Sequence, residues 1–547
     1  MTVLPAEPED RDGHWWLRYP RILLVVVTLA CLLPFADKAI HIDDPLFVWA
    51  GHHMQTKWWD PYGFEVNWYG WIMPMHEVTK NPPLACAYIA LISSIFGENE
   101  FALHLGFFAL ACAAVLGTYE IARRLSGRPL QAALAMLFTP VFIVSSTTVM
   151  CDVLMVALWV WAAAVWIRGL DDTQPFTLAL AGLLVGACVL AKYFGIALIP
   201  LLLAYSVARK GGFGWWLLYL LIPVIIAAVY EYWARTLYGH GLLVDAFSYA
   251  NQAEPRTLQG LPFKTVVAVS FVGGCYAIVL FLTPALWRWK SWLWLGTVIL
   301  LAAVWVLLGR WSAYDATPTR ALMAFEWSLF LLAGLALLAL PLLDWKRQPD
   351  AESLLLLLWI FGTFLFCILN WTISARSILP MAPAIAILLL RRVETVASST
   401  KLYWFFIPAV LLSLLVSLAD YQLANSARAA ATMIKDKFGN SPARTVWFQG
   451  HWGFQYYAQA NGFRAFDSMH SQARPGDLIV LPANNTNLKP IPPDSVEHVA
   501  TIEMPVLPWI ATMNRGDGAG YYTNIFGPLP FAFGAVPPEK YYIFRFK

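Results

Sequence analysis

The chain has 547 residues, of which 59% are hydrophobic and 13% charged, with a mean hydropathy of +0.58. Soluble proteins carry about 25% charged residues, so this composition excludes an ordinary soluble enzyme. The net charge of +3 is small and no basic stripe runs along the sequence, which excludes nucleic acid as the expected partner. Apolar runs of roughly 17 to 23 residues recur throughout, the length a bilayer demands. A mostly α, polytopic membrane helical bundle is the expected fold.

Residues 1–18 are polar and of mixed charge, with Glu7, Glu9, Asp10, Arg11 and Asp12. The apolar run Ile22 to Phe35 follows Arg18 and Arg21. No small-residue cleavage site comes after it, so it reads as an uncleaved first span. Next comes Asp43-Asp44-Pro45, two carboxylates side by side where a membrane surface should begin. They head a loop rich in aromatic, His and acidic residues that runs to about Lys80.

Basic residues cluster in short loops, which should face the cytoplasm: Arg18/Arg21, Arg123/Arg124/Arg128, Arg168, Arg209/Lys210, Arg288/Lys290, Lys346/Arg347 and Arg391/Arg392/Lys401. Putting all of them inside requires about thirteen spans, N-terminus inside and C-terminus outside. The spans begin near residues 20, 101, 129, 150, 175, 193, 213, 263, 291, 321, 354, 376 and 402. The run at 82–96, short and opening with Pro82-Pro83, must then lie on or in the outer leaflet as a re-entrant or surface helix; an ordinary short span is the alternative. With this parity Asp43, Asp44, Lys80, Asp152, Lys192, Arg310, Arg320 and Arg376 all fall at the outer face. Ionisable residues in such surroundings tend to be paired and functional.

After Asp420 the composition shifts towards Asn, Gly and Pro. Thr445–Phe448, Leu478–Leu481 and Tyr541–Phe546 read as strands and Gly453–Ala460 as a short helix. The expected domains are therefore 1–419, a transmembrane catalytic unit whose first outer loop at 37–100 carries interfacial helices, and 420–547, a small extracytoplasmic α/β domain. The seven cysteines (Cys31, Cys86, Cys112, Cys151, Cys188, Cys275, Cys367) all lie in apolar segments, so the tail has no disulfide to rely on. No internal repeat of the transporter kind is visible.

Four local patterns carry a resemblance to a known family. Asp43-Asp44-Pro45 follows the first span. Asn81-Pro82-Pro83-Leu84 is followed by Phe96-Gly97-Glu98-Asn99-Glu100-Phe101. Cys151-Asp152-Val153-Leu154 opens a span. Ala375-Arg376-Ser377-Ile378-Leu379-Pro380-Met381-Ala382-Pro383 forms an Arg-x-x-x-Pro-x-x-Pro run. In this order, over roughly residues 20 to 420, the chain resembles the GT-C glycosyltransferases, in the branch containing protein O-mannosyltransferases and the lipid A aminoarabinose transferase. One departure matters: some relatives place Lys directly before Pro-Pro, where this sequence has Asn81, with Lys80 one residue earlier.

The resemblance implies transfer of a sugar from a polyprenyl-phosphate donor to a lipid, glycan or protein acceptor on the outer face. Such a reaction needs a base for the acceptor, a role suited to a carboxylate within hydrogen-bond reach, and Asp43 is the candidate. Attack opposite the leaving phosphate would invert the anomeric centre. Asp44 would orient the site or hold the acceptor, and mutual repulsion between the two carboxylates would raise one pKa. The competing reading makes Asp43-Asp44-Pro45 a helix cap. Asp152 would bind sugar or acceptor, or support Asp43; otherwise it is a helix-start carboxylate favoured by the dipole. The leaving phosphate needs cations, and Arg376, Lys192 and Lys80 are the candidates; the competing reading is a structural pair with Asp or Glu, or snorkelling to lipid headgroups. Arg310 and Arg320 flank a short outer loop with Asp315 and read as a salt-bridged loop.

His41, His52, His53 and His76 share the first outer loop with Asp60, Glu65 and Glu77, but their spacing fits no ligand pattern, so neither metal nor cofactor is expected. Trp58, Trp59, Trp68 and Trp71 read as an interface belt touching membrane lipids. Asn484-Asn485-Thr486 matches a glycosylation acceptor, relevant only in a secretory-pathway host. A bacterial inner membrane, with the active site and C-terminus on the periplasmic side, is the expected location. The rival functions are a transporter or flippase of lipid-linked sugars, which wants its charges near mid-membrane, and a scaffold that presents the tail.

Overall fold

The computed structural model describes residues 18–251, 260–286, 289–308, 320–396, 403–439 and 444–547. Arg288, Arg310, Asp315 and Lys401 lie outside the described residues, so the expected salt-bridged loop is not described either.

Helices dominate, and proline starts many of them. Pro20, Pro129, Pro140 and Pro175 each open a helix, where a missing N–H costs nothing and the fixed φ suits the first turn. Asn99 caps Glu100–Leu125 by accepting from the Phe101 and Ala102 amides, and Asp350 does the same for Ser353 at the head of Ala351–Leu369. Gly97, at φ 73°, ends Leu84–Phe96 in a conformation that residues with a Cβ adopt reluctantly.

Among the described residues, seven helices are long and apolar enough to cross a membrane: Glu100–Leu125, Cys151–Asp171, Tyr193–Lys210, Trp215–Tyr238, Ala321–Arg347, Ala351–Leu369 and Tyr403–Phe438. The pair Pro129–Leu137 and Pro140–Ser146, bent by 65°, makes an eighth if it acts as one span. This is an integral membrane protein. About thirteen crossings would need the shorter helices Pro20–Phe35, Pro175–Ala191, Leu261–Cys275, Leu293–Ala302 and Ala382–Val396 to cross as well.

The run expected to lie in the outer leaflet is the helix Leu84–Phe96, which packs between Asp44–Thr56 and the start of Glu100–Leu125. Gly51 allows the first contact: a Cβ there would sit 2.6 Å from Ile89 Cγ2. Tyr88 makes the second, donating its hydroxyl to the Gly106 carbonyl at 2.8 Å.

Tyr403–Phe438 has 36 residues and runs through position 420 without a break. At 1.5 Å per residue it is about 54 Å long, well beyond a hydrocarbon core of about 30 Å. It leads into a β-rich tail built on a five-stranded sheet. The order across that sheet is Arg464–Ala465, Val446–Phe448, Leu478–Pro482, Glu539–Phe546, Val496–Met504. The first two junctions are parallel and the last two antiparallel. Trp452–Ala460 is the crossover between Val446–Phe448 and Arg464–Ala465. The central strand is an unbroken apolar run, as burial on both faces demands.

The tail rests on the first outer loop. Gln455 Nε2 donates to the Asn67 carbonyl at 2.8 Å, the Ile72 amide donates to Asp467 Oδ2 at 3.2 Å, and His451 stacks on Trp68 with ring centres 4.7 Å apart.

Candidate active site

The two adjacent carboxylates part company at a sharp turn. Ile42, just before them, has φ 46°, an unusual backbone for a β-branched residue. The Asp44 side chain is fully buried and accepts two backbone amides, from His41 at 2.9 Å and from Val149 at 3.0 Å. It ties the turn to the loop between Pro140–Ser146 and Cys151–Asp171. Burial pushes its carboxyl up to about 7, against the two amide bonds and the charges of Lys38 and Arg376. Desolvation rather than repulsion from Asp43 is the cause.

Asp43 occupies the N-cap position of Asp44–Thr56 but makes no capping hydrogen bond. With its side chain 32% exposed, it instead accepts from Arg376 Nη2 through Oδ2 at 2.8 Å. Arg376 sits in the short helix Ala375–Ile378, capped by the Ser374 hydroxyl. Its Nη1 lies 3.8 Å from Asp152 Oδ2. Asp152, in the first turn of Cys151–Asp171, accepts from Lys192 Nζ through Oδ1 at 2.6 Å. Lys192 caps the C-terminus of Pro175–Ala191.

Four residues from four distant segments thus form one row, Asp43–Arg376–Asp152–Lys192, alternating in sign. Among the described residues, Asp152 Oδ2 and Arg376 Nε are buried without a hydrogen-bond partner. Native proteins rarely leave such atoms orphaned, and at a site they are spare capacity for a ligand.

Lys80 is engaged elsewhere. It donates to Asp245 Oδ2 at 2.5 Å and to the Glu77 carbonyl at 2.9 Å, with Tyr249 under its ammonium. Asn81 faces the row instead, its Oδ1 accepting from Cys151 Sγ at 3.5 Å beside Asp152. The four loop histidines disperse. His41 faces Asp420, His52 faces Glu98, His53 lies against Phe64 and His76 stacks on Tyr238. Among the described residues no three His, Cys, Asp or Glu side chains converge as metal ligands would.

A second charge cluster, which the sequence reading missed, lies behind the row. Lys38 and Asp420, both fully buried, pair at 2.6 Å. Lys38 also donates to Thr147 Oγ1 at 3.1 Å, and Asp420 accepts from Thr512 Oγ1 at 2.9 Å and Tyr522 Oη at 2.8 Å. The only signal in the sequence was one charge at the edge of an apolar run and another inside one. Burial holds neighbouring His41 down at about 4, so it is neutral.

Residues 80–234 match the family described as dolichyl-phosphate-mannose-protein mannosyltransferase. This match supports the GT-C resemblance read from the sequence. It includes Asp152 and Lys192 of the row. No curated protein matches the chain.

Several solved structures are similar. The oligosaccharyltransferase of Archaeoglobus fulgidus, tethered to an acceptor peptide, is 13% identical over 83% of this chain, with a TM-score of 0.49. This chain spans 64% of that protein's length. ArnT from Cupriavidus metallidurans, bound to undecaprenyl phosphate, is 14% identical over 86% of this chain and 93% of its own, with a TM-score of 0.43. The mycobacterial arabinofuranosyltransferase AftD is 12% identical over 98% of this chain and 40% of its own, with a TM-score of 0.38.

Proposed function

We propose that this protein is an integral membrane glycosyltransferase that moves a sugar from a polyprenyl-phosphate carrier to a lipid, glycan or protein acceptor at the outer, periplasmic face of a bacterial inner membrane. The observation that carries the reading is the row Asp43–Arg376–Asp152–Lys192, a base and two cations aligned by a buried carboxylate.

The roles follow from exposure and charge. Asp43 is the most exposed member of the row and is the base. Its carboxylate takes the proton of the acceptor hydroxyl or amine as that atom bonds to the anomeric carbon. The bond from that carbon to the phosphate oxygen breaks on the opposite face, and its electron pair leaves with the polyprenyl phosphate. The new charge on that phosphate meets Arg376, whose planar fork suits it, and Lys192, a point charge. One attack gives inversion.

Asp152 is almost fully buried, so its work is to hold both cations in place. Asp44 fixes the turn that presents Asp43. Lys80, held by Asp245, contributes less to phosphate binding than Lys192.

The test is transfer from a panel of radiolabelled polyprenyl-phosphate sugars by purified protein supplied with a membrane-extract acceptor mixture. Wild type should label an acceptor and Arg376→Ala should not. No labelling from any donor, or full labelling by Arg376→Ala, would remove the reading.

A further inference from the structure

Tyr522 belongs to the β-rich tail, yet it stands between the two charge clusters of the membrane domain. The Arg376 guanidinium lies over its ring face, 5.4 Å from the ring centre. Its hydroxyl donates to Asp420, which Lys38 and Thr512 hold from other sides. His41 packs edge-on against the same ring at 5.5 Å. The backbone is locked too. The Ala375 amide donates to the Tyr521 carbonyl at 2.8 Å, and the Asn524 amide donates to the Ile373 carbonyl at 2.9 Å. The tail therefore grips the segment that delivers Arg376 on both sides of Ser374.

We propose that Tyr522 is a positioning residue that aims Arg376 at the donor phosphate, so that the tail completes the active site; this rests on the glycosyltransferase reading above. The physical argument concerns what happens when donor arrives. Phosphate competes with Asp43 for the guanidinium, and Asp43 must be released to act as base. Asp43 cannot hold Arg376 through that exchange because it must let go, and Asp152, 3.8 Å from Nη1, steadies only one edge of the fork. An aromatic face can, because it attracts the cation through its quadrupole while leaving all five N–H donors free. His41 packed against its edge holds the ring, with the Asp420 bond as a second support, and the ring fixes the plane of the fork.

The test keeps the shape of the ring and changes its electrons. Position 522 would carry Phe (Tyr522→Phe) or trifluorophenylalanine, whose fluorines withdraw charge from the ring face, and Tyr522→Met would remove the ring. Two readouts apply to each: kcat and KM for transfer, and the rate at which phenylglyoxal modifies Arg376, followed by mass spectrometry. Thermal unfolding checks the fold.

Tyr522→Phe should stay within about threefold of wild type, while the fluorinated variant should lose about tenfold in kcat and modify Arg376 about tenfold faster at an unchanged melting temperature. Equal values for the Phe and fluorinated variants would overturn the inference, since a residue that merely fills space would not sense the fluorines. If wild type transfers from no donor, the glycosyltransferase reading falls and the modification rates alone decide the role of Tyr522.

Discussion

Arg376 donates to Asp43 at 2.8 Å across 333 positions of sequence. The contact joins the turn after the first apolar run to the start of a helix near the end of the bundle. The guanidinium thereby neutralises the carboxylate proposed as base.

Replacing Asp43 by Asn should abolish transfer without unfolding the protein. General-base removal costs about 100-fold to 10,000-fold in kcat. Asn keeps an oxygen for Arg376, and the side chain is partly exposed, so melting should move little. The assay is the donor panel above, with unfolding followed in the same detergent. Undiminished transfer would dismiss Asp43 as the base.

Lys192 and Lys80 should separate cleanly. Lys192→Met removes the partner of buried Asp152 and should lower kcat/KM for donor by about 10-fold to 100-fold. Lys80→Met breaks a pair with Asp245 that is about a fifth to a third exposed, and should cost about threefold or less. Steady-state kinetics with varied donor decide the order, and the reverse order would move the phosphate towards Lys80.

The Lys38–Asp420 pair governs stability. Removing one partner, as in Asp420→Ala, leaves a buried charge uncompensated and should cost about 3–5 kcal/mol. The double variant Lys38→Met with Asp420→Leu should recover much of that loss, because no charge then remains to be desolvated. Melting temperatures of the singles and the double test this; losses that simply add would contradict it.

Glu539 should make stability depend on pH. Burial, opposed by the Asn484 hydrogen bond, raises its carboxyl from 4.5 to about 7. It lines a small cavity together with His41 and Ile42. Between those two pH values the folded form binds a proton that the unfolded chain has lost, so stability falls as pH rises from about 4.5 to about 7, by at most about 3 kcal/mol. Glu539→Gln should flatten that fall. Melting curves of both proteins across this range check it.

Much of the architecture was legible because it is written in periodicity and punctuation. Expected span starts near 20, 129, 175 and 402 correspond to helices beginning at Pro20, Pro129, Pro175 and Tyr403. The strand expected at Leu478–Leu481 is Leu478–Pro482, and the helix expected at Gly453–Ala460 is Trp452–Ala460.

At the site, Asp43, Asp152, Lys192 and Arg376 stood out as charges at the ends of apolar runs, and the fold brings them into one row. Their partners were not legible, since which acid meets which base depends on packing between segments hundreds of residues apart. The different fates of Asp43 and Asp44 were hidden for a related reason. They follow from the backbone of Ile42 and from an amide donor at Val149, neither of which leaves a mark in the local sequence. Tyr522 was invisible because nothing in a Tyr-Tyr pair within a polar tail announces an arginine.

The clasp between Tyr521–Asn524 and Ile373–Arg376 also sets a schedule. During synthesis the bundle leaves the ribosome first and the tail last, so Arg376 emerges 146 residues ahead of Tyr522 and first meets its two carboxylates with no ring beneath it. The Lys38–Asp420 pair waits likewise for Thr512 and Tyr522 to complete its hydrogen bonds. A prematurely terminated chain could insert and pack its helices yet lack the last wall of the site. On the proposed role of Tyr522, only chains translated past it would carry a complete site, a quality check that needs no separate inspector.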